Sequence, residues 1–389
     1  MMKVQVILVV CSVFLQNSYG ATIQAQPADA KTQILNPNPE LTDVTFVSNA
    51  SIQLVKIDSN TSITYPTDYD DVPLDINDPK ADARAIRNAL TASKVNTNSI
   101  VAALSGKTRA QRLRVAEEYK LLFKAEITKD LKQKLGDHWL TKLVIDLLIP
   151  LKEYYVKELH EAMHGAGTNE DTLIEILCTM NNEEIKQIKE IYEKTYKATL
   201  KSHIQYETAG DFEELLVALL NADRDESGKV KKKWGTDEST FITILTQSNY
   251  EQLKLIFDEY KTLTGHSFEY AIECEFSSFI QRGLLAIVKA AHDLPKYYAE
   301  RLHSSVAGSG TNNKRLIRII TTRNEIDMDL IKTHYKEDYG ITLEDAIADD
   351  TSGDYKTLLL ELIRENPCRD TNLLGCTFIT IRAEEESNP

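Results

Sequence analysis

Three short glycine-bearing segments of this chain are near copies of one another, and an acidic residue follows each at the same distance. The segments are MHGAGT at 163–168, KKKWGT at 231–236 and VAGSGT at 306–311. A carboxylate stands forty residues after the last glycine of each segment, and the pairs are Gly167 with Glu207, Gly235 with Glu275, and Gly310 with Asp350. Three pairs with one spacing indicate a repeated functional site.

The chemistry that suits these residues is the binding of a hard cation. Glycine tolerates positive φ, so a glycine loop can turn its carbonyl oxygens toward a common centre. A bidentate carboxylate added to those carbonyls makes an all-oxygen site for Ca²⁺. The alternative is an ordinary turn between helices with a glycine C-cap. That alternative has most weight at 231–236, where Gly235 is the only glycine.

Length, composition and charge limit the function classes. A chain of 389 residues can hold two or three domains, or one array of repeats. Apolar content of 42% and charged content of 27% are typical of a globular protein. The net charge of −14 argues against nucleic acid and against an anionic membrane as direct electrostatic partners. A cation must therefore bridge the protein to any acidic lipid that it binds.

The first twenty residues resemble a secretory signal peptide. Lys3 gives a basic start, residues 4–15 are almost wholly apolar, and small residues stand at Ser18 and Gly20. This pattern predicts a secreted protein or one at the extracellular membrane surface. If the leader is not cleaved, the expected location is cytoplasmic and membrane-peripheral. An N-terminal core strand is the structural alternative.

Two regions outside the repeats contain features that matter only in a secreted protein. Residues 21–78 are polar and proline-bearing, with a short strand expected near 44–55 and N-glycosylation sequons at Asn49 and Asn60. In the C-terminal tail, Cys368 and Cys376 are close enough in sequence to form a disulfide outside the reducing cytosol. Cys178 lies on an apolar helical stripe and is expected to be a buried thiol.

From residue 81 onward the apolar period is helical, and the pattern repeats. One amphipathic element ending in tyrosine recurs at 109–120, 182–193, 250–261 and 325–336. A second element follows the carboxylates, as GDFEELLV at 210–217 and GDYKTLLL at 353–360. The sequence thus predicts four helical repeats over 81–365.

These motifs resemble the annexin core. The resemblance implies an all-α fold, in which four repeats of about five helices form a curved disc that binds Ca²⁺ and acidic phospholipid through its convex face. The predicted ranges are 1–20 signal peptide, 21–78 head, 79–150 repeat one, 151–222 repeat two, 223–291 repeat three, 292–365 repeat four and 366–389 tail.

The resemblance also assigns ligands to each site, namely three loop carbonyls and the distant carboxylate. Carried over by position, they are Met163, Gly165, Gly167 and Glu207 in repeat two, Lys231, Lys233, Gly235 and Glu275 in repeat three, and Val306, Gly308, Gly310 and Asp350 in repeat four. The threonine after each last glycine is expected to cap the following helix.

Repeats one and three depart from the pattern. In repeat one the loop at 91–95 has no glycine, and Lys134 stands where the acid should be, so this site is predicted to be lost. Repeat three has only ten residues between Leu220 and Lys231, too few for a first helix and its turns. This predicts that the helix is absent and leaves a groove, unless the sequence comes from a variant transcript or a faulty gene prediction.

The predicted function is calcium-dependent binding of anionic phospholipid by a secreted or surface-associated annexin. The alternative is a structural or adhesive surface protein that uses the fold as a scaffold for protein or glycan partners, through the head or the lysine-rich linker at 229–233. The sequence leaves open whether the chain forms a homodimer. No catalytic motif is found, so an enzyme is not expected.

Overall fold

The computed structural model describes residues 44–48, 51–55, 78–165, 167–225, 238–308 and 310–364. The chain divides into two units. One comprises 1–23 and 78–367, and the other 24–77 and 368–389. The leader, the sequon asparagines Asn49 and Asn60, the cysteines Cys368 and Cys376, and the loop residues Lys231, Lys233 and Gly235 lie outside the described residues.

In the smaller unit the described residues form a β-hairpin. Strands β1 (Val44–Ser48) and β2 (Ser51–Val55) pair antiparallel, with Val44 opposite Val55 and Ser48 opposite Ser51. The short strand expected near 44–55 is therefore confirmed, and it is a pair of strands rather than one.

The described part of the larger unit is entirely helical. Its nineteen helices are α1 (Pro79–Thr91), α2 (Thr97–Leu104), α3 (Arg109–Phe123), α4 (Ile127–Leu135), α5 (Trp139–Leu147), α6 (Leu151–Met163), α7 (Glu170–Leu177), α8 (Asn182–Tyr196), α9 (Leu200–Glu207), α10 (Gly210–Leu220), α11 (Glu238–Gln247), α12 (Tyr250–Thr264), α13 (Phe268–Glu275), α14 (Ser278–His292), α15 (Leu294–Val306), α16 (Asn313–Arg323), α17 (Met328–Tyr339), α18 (Leu343–Asp350) and α19 (Gly353–Arg364). The predicted all-α class is confirmed. No helix within the described ranges is long and apolar enough to cross a bilayer.

The nineteen helices form four groups that match the predicted ranges of the four repeats. Repeats one, two and four each contain five helices, namely α1–α5, α6–α10 and α15–α19. The range of repeat three contains four in its described part, α11–α14, the last of which ends one residue past the predicted boundary. Between α10 and α11 only 221–225 are described, so the absence of a first helix stays a prediction, as does the curved disc.

The recurring tyrosine element forms the third helix of each five-helix group and its counterpart in repeat three. Local side-chain caps start three of these four helices: Thr108 before α3 and Asn181 before α8 each complete a capping box, and Asn249 caps α12. The final tyrosine of the element is fully buried each time, at Tyr119, Tyr192, Tyr260 and Tyr335. Its burial anchors the helix to the core through a large apolar ring.

Repeats two and three meet closely at one glycine. A Cβ on Gly283 in α14 would lie 2.6 Å from the Cδ2 of Leu215 in α10, which is closer than side-chain atoms can pack. Glycine at this position therefore permits the two helices to approach.

The two described cysteines are expected to differ sharply in reactivity. Burial raises the pKa of the Cys178 thiol to about 12, whereas Cys274 is exposed. The thiolate is the reactive form, so a maleimide at neutral pH should modify Cys274 in the native protein and Cys178 only after unfolding. Peptide mass mapping of the labelled protein measures both. Rapid labelling of Cys178 under native conditions would contradict the placement of this residue in the core.

Candidate metal centres

The loops of repeats two and four have matching backbone conformations. Gly165 and Gly167 have φ of +126° and +94°, and Gly308 and Gly310 have φ of +120° and +96°. Space is open around all four glycines, so it is the backbone conformation that requires glycine there. The sequence GxGT thus produces the same glycine conformations twice.

The same backbone hydrogen bond closes both loops. The amide of Asn169 donates to the carbonyl of Ala162 at 2.7 Å, and the amide of Asn312 donates to that of Ser305 at 2.7 Å. Both asparagines also cap the next helix, since their side chains accept from the amides of Thr172 and Arg315. The expectation that Thr168 and Thr311 cap these helices is wrong, because the cap position falls one residue later.

The two threonines instead connect each loop to its carboxylate residue. The hydroxyl of Thr168 donates to the Oε2 of Glu207 at 3.0 Å, and also lies 3.3 Å from the carbonyl oxygen of Glu207. The hydroxyl of Thr311 donates to the carbonyl of Asp350 at 3.1 Å. Residues separated by about forty positions in sequence are therefore neighbours in both repeats, as the spacing suggested.

The carboxylates are placed to accept a cation. Glu207 and Asp350 are the last residues of α9 and α18, and both are half-buried. The Oδ2 of Asp350 is buried without a hydrogen-bond partner, an arrangement that costs free energy unless a positive group binds there. These features fit a Ca²⁺ ion, which the residues of each loop would hold.

The remaining predicted ligands occupy the same two loops. Met163 ends α6 and Val306 ends α15, so each immediately precedes its loop. The side chain of Met163 is buried, which leaves its backbone to face a site. Their role as carbonyl ligands, like that of the four glycines, stays a prediction.

Only the carboxylate of the third predicted site is described. Glu275 ends α13 and is half-buried, as Glu207 is at the end of α9. Its predicted partners Lys231, Lys233 and Gly235 lie outside the described residues, so this site stays a prediction.

Repeat one keeps the loop closure without the glycines. The amide of Asn96 donates to the carbonyl of Ala89 at 3.2 Å, as in the other two loops. None of residues 92–95 has positive φ. Lys94 and Lys134 are both exposed. This loop has neither the backbone conformation nor the acid that the other two share.

Side-chain clusters of the usual metal-binding type are not found in the described ranges. No group of three or more histidine, cysteine, aspartate or glutamate side chains there is arranged to hold a metal ion. A site of the predicted kind needs only one carboxylate, since its other protein ligands are backbone carbonyls.

A buried ion network joins repeats two and four, and the sequence analysis missed it. Arg318 of α16 donates from Nε to the Oε1 of Glu175 at 2.7 Å and from Nη1 to the Oε2 of Glu158 at 3.1 Å. All three side chains are almost fully buried. The available signal was a lone charge inside an apolar run, as in LIEIL at 173–177 and LIRII at 316–320.

The network extends into repeat one through lysines. Lys142 donates to Glu158 at 3.0 Å and to Asp146 at 2.8 Å, and Lys157 donates to Asp146 at 2.8 Å. Burial alone would raise the pKa of Glu158, but the charges of Lys142, Arg318 and Lys157 outweigh it and lower that pKa. Glu158 is therefore held as a carboxylate by its cationic neighbours.

The loop threonine has a testable role in calcium binding. Thr168→Val removes the hydroxyl that holds Glu207 beside the loop and keeps the size of the side chain. A hydrogen bond of this kind contributes about 1 kcal/mol, so the calcium needed for half-maximal vesicle binding should rise about fivefold. Val95→Thr is the matched control, because it adds the hydroxyl in repeat one and should change nothing. An unaltered calcium requirement in Thr168→Val would contradict this role.

Comparison with known proteins identifies relatives along most of the chain. The sequence model of the Annexin family matches residues 154–219, 226–287 and 297–362. Annexin A13 of Homo sapiens is 37% identical over 302 residues, which cover 74% of this chain and 95% of the relative. Annexin A5 of Gallus gallus is 38% identical, with 73% and 94% covered.

Solved structures resemble the chain over the same extent. The structure of chicken annexin V is 37% identical with a TM-score of 0.70, and the match covers 74% of this chain and 96% of that one. A calcium-bound annexin (Sm)1 is 29% identical with a TM-score of 0.63, and the match covers 74% and 90%.

Proposed function

Because this chain belongs to the annexin family, we propose that it binds the surface of anionic phospholipid membranes in a calcium-dependent manner. Annexins in general bind phospholipids when calcium is present. The observation that carries the proposal for this chain is the pairing of each GxGT loop with its carboxylate residue, through Thr168 and Glu207 and through Thr311 and Asp350.

The residues of each loop would have two different roles, binding the ion and positioning the loop. Backbone carbonyls around the two positive-φ glycines and one carboxylate would hold the ion, while Thr168 or Thr311 keeps the loop beside that carboxylate. When bound, Ca²⁺ supplies the positive charge that attracts lipid phosphoryl oxygens. The protein as a whole has a net charge of −14, which opposes binding to an anionic surface wherever no positive charge is placed at the contact.

The strength of binding should depend on several sites acting together. Sites with one protein carboxylate belong in the weak range, roughly 10⁻⁴ to 10⁻³ M for Ca²⁺. Linked sites on one membrane surface gain avidity, because the second contact is intramolecular. Repeats two and four, with repeat three as the predicted third contributor, would then bind reversibly as calcium rises and falls.

Sedimentation with liposomes tests the proposal directly. Protein mixed with phosphatidylserine-containing vesicles should sediment in millimolar Ca²⁺ and return to the supernatant when a chelator is added. Vesicles of phosphatidylcholine alone are the control for the charge of the lipid. Sedimentation that is the same with and without the chelator would overturn the calcium-dependent proposal.

We further propose that the protein acts outside the cell or on its outer surface. The support is the signal-like leader at 1–20, together with the two sequons and the C-terminal cysteine pair. Sequencing the N-terminus of the natural protein tests this. Ala21 as the first residue is the expected result, and Met1 would return the protein to the cytoplasmic side of the membrane.

A second candidate function is adhesion or scaffolding at a surface. The observation that favours it is the separate unit at 24–77 and 368–389, which contains the β-hairpin. Protein or glycan partners and a homodimer would belong to this function. A truncated chain that begins at Asp78 discriminates between the two functions. If it loses partner binding and keeps lipid binding, the second function belongs to the head. If it keeps both, the second function is not in the head and this proposal is overturned.

A further inference from the structure

We propose that repeat one binds a lipid phosphate group without calcium, through the ammonium groups of Lys94 and Lys134. The inference rests on the proposed function in one respect, because it takes the loop face of the protein as the face that meets lipid. The two lysines stand at the positions that supply the last glycine and the carboxylate in the other repeats.

The structure, as well as the sequence spacing, makes the positions of Lys94 and Lys134 equivalent to those of the last glycine and the carboxylate in repeats two and four. The loop of repeat one closes with the same backbone hydrogen bond as the loops of repeats two and four, here between Asn96 and Ala89. Helix α1 packs against α4 as α6 packs against α9 and α15 against α18. Lys94 and Lys134 therefore lie on the segments whose counterparts meet at Thr168–Glu207 and Thr311–Asp350.

Both lysines are available to a ligand. Each is exposed, and none of the ion pairs between described residues includes either one. The acids nearest in sequence to Lys134 are Asp137, which pairs with Lys132 at 3.5 Å, and Asp130, whose Oδ2 accepts from Arg87 at 2.6 Å and from the hydroxyl of Tyr119 at 2.7 Å. Both carboxylates thus have partners other than Lys134.

The helices that contain Lys134 or a site carboxylate, namely α4, α9, α13 and α18, become steadily more negative from repeat one to repeat four. Helix α4 contains three lysines and one aspartate, a net charge of +2, and α9 contains one lysine and one glutamate. Helix α13 has three glutamates and α18 has four acids, and neither contains a basic residue. The positive end of this series coincides with the repeat that has lost its glycines.

The chemistry of such a lysine pair suits a phosphate monoester or diester. An ammonium group donates charge-assisted hydrogen bonds to phosphate oxygens and needs no metal to do so. A fixed positive charge here therefore replaces the charge that calcium would bring. Near an anionic surface, each lysine should strengthen binding about fivefold at low salt, or about 25-fold for the pair. Salt should weaken the contact, because exposed charges are screened.

Vesicle binding in a calcium chelator at low ionic strength tests the inference. The variant is Lys94→Gln with Lys134→Gln, and the matched control is Lys80→Gln with Lys152→Gln. Lys80 and Lys152 are exposed in the first turns of α1 and α6, at the helix ends away from the loops, and the control changes the net charge equally. Wild type and control should show the same weak, salt-sensitive binding to phosphatidylserine vesicles, and the variant should lose about 25-fold.

The outcomes separate this inference from the proposed function. Equal binding of variant, control and wild type in the chelator overturns the role of Lys94 and Lys134, while sedimentation in calcium still tests repeats two and four. If the variant loses the calcium-independent binding, and calcium adds no further vesicle binding to the wild type, the inference is supported and the proposed function is overturned. Binding of inorganic phosphate by the wild type without binding of vesicles overturns the lipid as the ligand.

Discussion

Replacing Glu207 and Asp350 together by alanine is expected to abolish calcium-dependent binding to anionic vesicles. Each change removes the charged ligand of its loop, and the remaining carbonyls compete poorly with bulk water for Ca²⁺. Contacts to charged groups contribute about 1.5 kcal/mol or more, so each single change should raise the calcium needed for half-maximal binding about tenfold. A calcium titration of liposome sedimentation measures the shift.

The fold should survive this double change. Glu207 is half-buried, and the Oδ2 of Asp350 has no hydrogen-bond partner to lose. The main loss is the hydrogen bond from Thr168 to Glu207, so the free energy of unfolding should fall by only about 1 kcal/mol. Thermal unfolding followed by circular dichroism checks this.

Lys134→Glu is the control for the double change, with calcium binding to the protein measured directly because Lys134 is itself proposed to contact lipid phosphate. It creates an acid at the carboxylate position of repeat one, but the loop there has no positive-φ glycine, so calcium binding should not be restored. A double variant that sediments at the wild-type calcium concentration would show that the sites are assigned wrongly.

The sequence predicted the parts of the structure that depend on local pattern. The apolar period predicted helices that bury a tyrosine about one turn before their C-terminal ends, because only one face of each helix can meet the core. The forty-residue spacing predicted that Glu207 and Asp350 lie beside their loops, and the threonine hydroxyls contact both residues. Repetition made this possible, since one spacing found three times is unlike chance.

What the sequence did not predict depends on contacts between distant elements. The role of Thr168 is to contact Glu207 and not to cap α7, and both roles suit a threonine in that position. Pairing among Arg318, Glu158 and Glu175 is invisible in sequence because the three residues lie on three helices. A lone charge in an apolar run indicates a buried ion, but it does not name the partner.

Arg318→Met is expected to be the most destabilising single change among the described residues discussed above. The side chain is almost fully buried and holds two buried carboxylates, Glu175 and Glu158. Methionine approximates the length of the side chain but supplies no charge, so each carboxylate loses its hydrogen bond to Arg318. Glu158 keeps Lys142 at 3.0 Å, and Glu175 keeps Arg315 and Arg301 at 3.6 Å and 3.7 Å. Breaking a buried ion pair costs about 3–5 kcal/mol, and because other cations remain we expect a loss near the lower end of that range. Urea denaturation at pH 7 measures the loss.

The pH dependence of this loss identifies its cause. In the wild type the pKa of Glu158 lies below its usual value of 4.5, so the stability it contributes is present above that value and is lost as the pH falls through the lowered pKa. In Arg318→Met the same carboxyl should have a higher pKa, because a cation is gone while burial remains. It then takes up a proton more readily, and the difference in unfolding free energy between variant and wild type should shrink from pH 7 to pH 4. Adding Glu158→Gln and Glu175→Gln to Arg318→Met should recover part of the stability at pH 7, since neutral amides replace buried carboxylates whose charge is no longer fully compensated. A difference that stays constant with pH would mean that lost packing, and not uncompensated charge, destabilises the variant.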